Sequence, residues 1–222
     1  VIDIRATVNK FKILKTMKNK ILLFIILTFA IIKCNLLLAQ DFSGTHFRNG
    51  DLIPYIESYQ EWKSAGENKQ PAWCFYNNDL ANGPKYGKLY NWYAVVDPRG
   101  LCPVGWHVPS DAEWRTLITT LGGEKVAGYK MKSTNGWYEN GNGKNTSGFS
   151  GLPGGYRGDI SPNYYGPNEG SYGNLDVLGY FWSSTEIDAD KAWYRLLIHD
   201  EVVVNRFDSY KYYGISVRCL RD

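Results

Sequence analysis

The residues able to do chemistry are few and scattered. Three histidines stand at His46, His107 and His199. No HxxxH, HxH or CxxC spacing occurs among them and the four cysteines, so the pairings that hold zinc are missing. Carboxylates group more closely. Glu186, Asp188 and Asp190 follow Trp182-Ser183-Ser184-Thr185, and Glu169 and Asp176 lie a little upstream. Cutting a sugar chain needs two carboxylates across the bond, but acids in so polar a stretch read as solvated. Asn77-Asn78-Asp79 and residues 140–145 offer oxygen ligands for a structural calcium, without the alternation of an EF-hand loop. No nucleophile elbow, Walker loop or dinucleotide fingerprint is present. Gly151-Leu152-Pro153-Gly154-Gly155 has the glycines of a phosphate loop but neither its Lys-Ser/Thr nor a following helix, and reads as a tight turn. The expectation is a protein without catalytic residues, without a metal site and without a required cofactor.

The aromatic side chains are the other chemical resource. The chain of 222 residues carries 8 Trp, 17 Tyr and 9 Phe, beside 23 Gly. Sugar rings present apolar C–H faces that stack on aromatic planes. Most of these rings must fill a core, but Trp137, Tyr164, Tyr165 and Trp182, with Glu186 as a polar contact, are the candidate ligand-binding residues. Stacking of this kind fits a glycan, and aromatic anchors equally fit an extracellular protein partner.

These residues need a scaffold. Pro109-Ser110-Asp111-Ala112-Glu113 opens a helix, with Ser110 as N-cap and Glu113 three residues on completing a capping box. Trp114, Leu117, Ile118 and Leu121 then fall on one stripe, and Gly122-Gly123 stops the helix. A second helix is expected over 124–132 and a short one over 58–65. Residues 87–96 (GKLYNWYAVV) have strand propensity, with a short buried helix as the competing reading. Residues 133–180, rich in Gly, Asn, Ser and Pro, read as one long irregular region held by aromatic anchors. Strands are expected over 180–184, 192–198, 202–207 and 214–220. Trp193 to Leu197 alternate poorly, which suggests a strand covered on both faces.

Charge and leader bear on the compartment. Residues 1–39 hold seven Lys/Arg and one acid, so residues 40–222 carry 18 basic and 21 acidic side chains, a net −3. No basic field for nucleic acid exists there. Met17-Lys18-Asn19-Lys20 precedes an apolar run over 21–32, and Ala39 supplies a small residue at its exit. That pattern reads as a signal peptide starting at Met17 and cleaved after Ala39, with residues 1–16 an over-long start and 40–222 one domain. Lys33 interrupts the run, so no membrane span is expected in the mature chain. Lys33 before Cys34 also argues against lipoprotein anchoring, since that processing wants a small residue there. Cys74, Cys102 and Cys219 then remain, one disulfide and one spare thiol in any of three pairings.

Several segments together resemble a known family. These are residues 86–95 (YGKLYNWYAV), 101–114 (LCPVGWHVPSDAEW), 147–157 (SGFSGLPGGYR), 181–186 (FWSSTE) and 214–222 (GISVRCLRD). In this order they resemble the Fibrobacter succinogenes major paralogous domain, over roughly residues 47–222. The resemblance implies an exported or surface protein of Bacteroidetes or Fibrobacteres type. The helix entry at 105–114 is also similar to the RLPTEAEW segment of formylglycine-generating enzymes, and the end at 214–219 to their GFRC ending. Both likenesses imply an α+β, C-type-lectin-like fold: two helices packed on small twisted antiparallel sheets, with long irregular loops. They imply a bridge from Cys219 to Cys102 or to Cys74. The formylglycine enzymes' second C-terminal cysteine has no counterpart, so oxidase activity is not implied. Pro167-Asn168-Glu169 reverses the calcium lectins' Glu-Pro-Asn, and Asn78-Asp79 follows Asn77 where those lectins have Trp. The opening strand of longer members finds no match before residue 42. The combined expectation is a secreted or cell-surface, non-enzymatic binding module for glycans or other extracellular polymers. The alternatives are a structural or adhesive protein, or an enzyme related to glycan-acting or formylglycine enzymes.

Overall fold

The computed structural model describes residues 40–41, 44–159 and 171–222. The leader, Cys34, Tyr164 and Tyr165 lie outside the described residues.

Ten strands and five α-helices follow one another in these residues. They are β1 (Gln40–Asp41), α1 (Tyr59–Glu67), β2 (Trp73–Cys74), α2 (Gly83–Tyr86), β3 (Leu89–Tyr90), α3 (Trp92–Val95), β4 (Trp106–His107), α4 (Asp111–Thr120) and α5 (Glu124–Met131), then β5 (Gly154–Gly158), β6 (Ser171–Leu175), β7 (Leu178–Glu186), β8 (Lys191–Ile198), β9 (Val204–Tyr210) and β10 (Arg218–Arg221). Three sheets result: β1-β10-β4, β2-β3 and the five-stranded β6-β5-β7-β8-β9. All pairs are antiparallel except a short parallel contact of Gly155 with Gly179 between β5 and β7. The chain is thus mixed helix and sheet with small, mostly antiparallel sheets. β1 takes the edge where no opening strand was expected, with Gln40 opposite Cys219.

The capped helix forms as its sequence requires. Ser110 Oγ accepts from the Glu113 N–H, and the Glu113 carboxylate accepts from the Ser110 N–H at 2.8 Å. Trp114, Ile118 and Leu121 are buried, and Gly122 (φ +103°) leads the chain out of α4. Ser58 Oγ caps α1 by accepting from the Glu61 N–H.

Three expectations need correction. Residues 87–96 are strand only at Leu89–Tyr90, and the competing reading, a short buried helix, holds over Trp92–Val95 as α3. The fully buried Asn91 then accepts from the Ala94 N–H and turns the chain into α3. A capping side chain inside an apolar run leaves no period to read. Second, 151–155 is no tight turn. Gly151 bridges to Lys132, and Gly154-Gly155 begin β5. Third, the long irregular region contains β5, β6 and the start of β7. Glycine there marks close approach, not a loop. A Cβ at Gly158 would meet the Tyr213 ring at 2.6 Å, and one at Gly173 the Tyr156 ring at 2.7 Å. Rings lie flat on these strands, so only glycine fits.

β8 is covered on both faces, as its poor alternation predicts, and so is β7. Arg195, Leu196 and Leu197 are successive buried residues. One face carries Tyr180, Trp182 and Leu196 into the main core with Tyr90, Trp92, Ile215 and Val217. The other carries Phe181 against Trp114 and Phe149. The core includes the Cys102–Cys219 disulfide, while Cys74 is a buried free thiol that burial pushes upward in pKa.

Candidate functional site

A cleft of about 430 Å³ is lined by Lys63, Gly66, Glu67, Lys69, Tyr93, Asp159, Asp190, Tyr210 and Tyr212. Five segments bring these side chains together, and buried groups pin them.

The turn after β9, residues 210–213, sits at the centre. Trp62 of α1 is buried, and its indole N–H donates to the Tyr212 carbonyl at 2.8 Å. A Cβ at Gly66 would sit 2.4 Å from the Tyr212 Cβ, so glycine lets α1 lie directly on the turn. Behind Trp62, the Arg157 guanidinium is fully buried and stacked at 4.4 Å from the indole centroid. It donates to the Ile56 and Glu57 carbonyls at 2.6 and 2.7 Å, tying β5 to the entry of α1.

Lys211 holds the opposite side. Its side chain is buried over Trp92, and its ammonium donates to the Glu186 carboxylate at 2.7 Å and to the Asp188 and Ala189 carbonyls. Its N–H donates to the Asp190 carbonyl, and its carbonyl accepts from Trp92 at the start of α3. One residue thereby fixes the 187–190 hairpin, which brings Asp190, and α3, which brings Tyr93. Asp190 is close enough to Tyr93 to add to the upward shift that burial imposes on the phenol. Asp159, just past β5, accepts a hydrogen bond from the Tyr212 hydroxyl.

A smaller cavity of about 170 Å³ lies on the other side of the turn. Tyr156, Asn174, Tyr180, Tyr194, Ser209, Tyr213 and Ile215 line it. Burial raises the Tyr180 and Tyr194 phenols, the latter to about 12, so both hydroxyls are neutral near pH 7.

The residues singled out from sequence lie elsewhere. Trp182 is wholly buried at the centre of the core, its indole N–H donating to the Tyr90 carbonyl at 2.9 Å. Trp137 is buried too and donates to Ser133 Oγ and the Gly151 carbonyl. Neither offers a face for stacking, which corrects the expectation for both. Their rings are large enough that the apolar interior claims them first. Glu186 is exposed and paired with Lys211; it positions the hairpin and does not line the cleft. The tyrosines that do line the openings went unrecognised, although Tyr210-Lys211-Tyr212-Tyr213 is a visible cluster in the sequence.

The oxygen-rich stretches are internally engaged. Asn78 donates to the Glu57 carbonyl and accepts from the Tyr172 hydroxyl, and Asp79 caps the Ala81 N–H. Asn142 accepts from the Trp137 N–H and Asn145 from that of Ser150. Among the described residues no group of three or more His, Cys, Asp or Glu converges, and no helix is long and apolar enough to cross a membrane.

A second polar cluster serves packing. Asp111 accepts from the buried Arg195 and from Arg206, each at 2.8 Å, with Arg115 at 3.4 Å. Burial alone would raise its pKa, but the two nearer guanidiniums hold it below the usual carboxylate range. These contacts join the start of α4 to β8 and β9.

Compared with known proteins, residues 38–221 match the family model described as the Fibrobacter succinogenes major domain. No curated protein and no solved structure matches.

Proposed function

The chain belongs to the Fibrobacter succinogenes major domain family, and from that premise we propose that it is an exported, surface-associated, non-enzymatic module that binds glycans. The observation carrying this reading is the cleft: the phenol rings of Tyr93, Tyr210 and Tyr212 stand beside carboxylates and ammonium groups in one opening. A sugar needs a flat apolar surface for its C–H face and both acceptors and donors for its hydroxyls. Asp190 and Glu67 supply acceptors and Lys63 and Lys69 donors. At about 430 Å³ the cleft falls within the roughly 300–1,000 Å³ typical of small-molecule sites.

Two features support export. The Cys102–Cys219 disulfide suits an oxidising compartment, and the apolar run over 21–32 has the form of a leader. We extend the proposal to a C-type-lectin-like architecture, on the grounds that α4 and α5 pack beside small antiparallel sheets and that β1 pairs with β10.

Tyr210 is 44% exposed, so its removal leaves the core intact. Tyr210→Ala is expected to weaken binding to the best glycan on an array about tenfold, consistent with roughly 0.5–1.5 kcal/mol for one aromatic contact plus its buried area. Calorimetry on that glycan checks it. Unchanged affinity removes the cleft from the reading, and cleavage of the bound glycan replaces the binding module by an enzyme.

A further inference from the structure

The smaller cavity stands apart from the cleft, yet the two share a wall. Tyr210 and Tyr212 face the cleft, and Tyr213, next in the same turn, lines the smaller cavity. The rings connect across it. Tyr210 stacks on Tyr212 (5.4 Å between centroids, 18° between planes), and Tyr212 meets Tyr213 at 5.2 Å. Tyr213 stacks on Tyr156 at 5.9 Å and 5°, and Tyr156, Tyr180 and Tyr194 continue at 5.4 and 5.5 Å. The aromatic surface is therefore one ladder passing through both openings.

We infer that the two cavities are adjoining subsites of one groove that takes an extended, neutral polysaccharide chain. This rests on the sugar-binding reading of the cleft. Size argues for it. About 170 Å³ is well under the roughly 300 Å³ at which independent ligand sites begin, so the smaller cavity makes sense as an extension. The lining argues for neutrality. Four tyrosines, Ser209 and Asn174 line the smaller cavity with Ile215, the Asn174 amide donating to the Tyr180 hydroxyl at 2.8 Å, and no ionised side chain is among them. The cleft mixes both signs: Lys63 pairs with Glu67 at 4.0 Å, and Lys69, Asp159 and Asp190 also line it. A chain charged throughout with one sign would meet like charge in the cleft and desolvation in the smaller cavity. A hydroxyl-bearing chain meets partners in both.

The test is calorimetry of the purified protein with neutral oligosaccharides of glucose, xylose and mannose, two to six units long, with polygalacturonate and chitosan as charged comparators. Ser209→Trp fills the smaller cavity from a half-exposed position on β9, and Ser209→Tyr is a smaller plug to use where melting shows the Trp variant unfolded. In the unmodified protein affinity should rise at least tenfold from two units to six. In the plugged variant it should stay at the two-unit value, whereas Tyr210→Ala should weaken every length alike. A flat series in the unmodified protein, or a rising one in the plugged variant, overturns the inference and leaves the cleft reading standing. Tighter binding of either charged polymer overturns neutrality. No binding of any neutral oligosaccharide overturns both.

Discussion

His107 lies between two carboxylates. Its Nδ1 is 2.6 Å from Asp222 and its Nε2 2.8 Å from Glu113, the residue that also closes the capping box of α4. Burial alone would push the imidazole down, but the hydrogen bonds to Asp222 and Glu113 outweigh it and its pKa is raised above 6.5. A raised histidine contributes stability that is complete below pH 6.5 and is lost as pH rises through the folded value. For Glu113 burial also opposes, but the Ser110 and His107 contacts lower its pKa below 4.5, so its share is present above pH 4.5 and fades on further acidification. His107→Gln should therefore lower the melting temperature more at about pH 5.5 than at about pH 8.5, because the charge-dependent part of the native protein's stability declines as pH rises. A gap between variant and native protein that stays constant across this range would assign His107 to packing alone. The sequence sets this histidine between Trp106 and Val108, three residues before the N-cap Ser110. It did not show Asp222, which is 115 positions away.

At the scale of elements, α5 illustrates how a neighbour reverses a propensity. Gly128 sits inside this helix, and alanine there would ordinarily gain about 1 kcal/mol. But a Cβ at Gly128 would stand 2.5 Å from the Val203 carbonyl oxygen and 2.7 Å from that of Val202. These are backbone atoms of the β8–β9 connection, and they cannot rotate away. Gly128→Ala should therefore destabilise the protein by about 1–3 kcal/mol, the range for overpacking a filled site. Urea unfolding measures it, and a variant as stable as the native protein would mean that the connection shifts freely. The helix itself was legible over 124–132 from its sequence. Its closeness to the connection was not, because no local pattern encodes the distance between elements far apart in the chain.

Across the whole molecule the Cys102–Cys219 bond spans 117 positions and ties β10 to the segment before β4. Closing so long a loop restricts the unfolded chain, and its loss should cost roughly 2–5 kcal/mol. Replacing both cysteines by serine should lower the unfolding midpoint accordingly, and peptide mapping without reductant should return Cys74 as a free thiol. An unchanged midpoint would mean that the sheet β1-β10-β4 holds these segments unaided. Cysteine counting left three pairings open and family resemblance narrowed them to two. Only the meeting of β10 with β4, at Leu220 opposite His107, selected Cys102.

What the sequence determined by itself was local or compositional. The capping box of Ser110 and Glu113, the stripe from Trp114 to Leu121 and the order of the last strands are short-range signals, and they stand in the structure. So does the family, because its motifs run through the whole chain. The tertiary structure decided which aromatics are core and which are surface. Trp137 and Trp182 carried the aromatic weight expected of a binding site, yet burial of the largest rings took them inward. The cleft is formed by tyrosines, whose hydroxyls keep one end of the ring at water. It depends on Trp62, Arg157 and Lys211, which meet across separations of up to 150 residues. Those contacts are made by a buried indole, a buried guanidinium and a buried ammonium finding backbone carbonyls. A buried polar group must find such a partner, and nothing in the neighbouring sequence says where that partner will be.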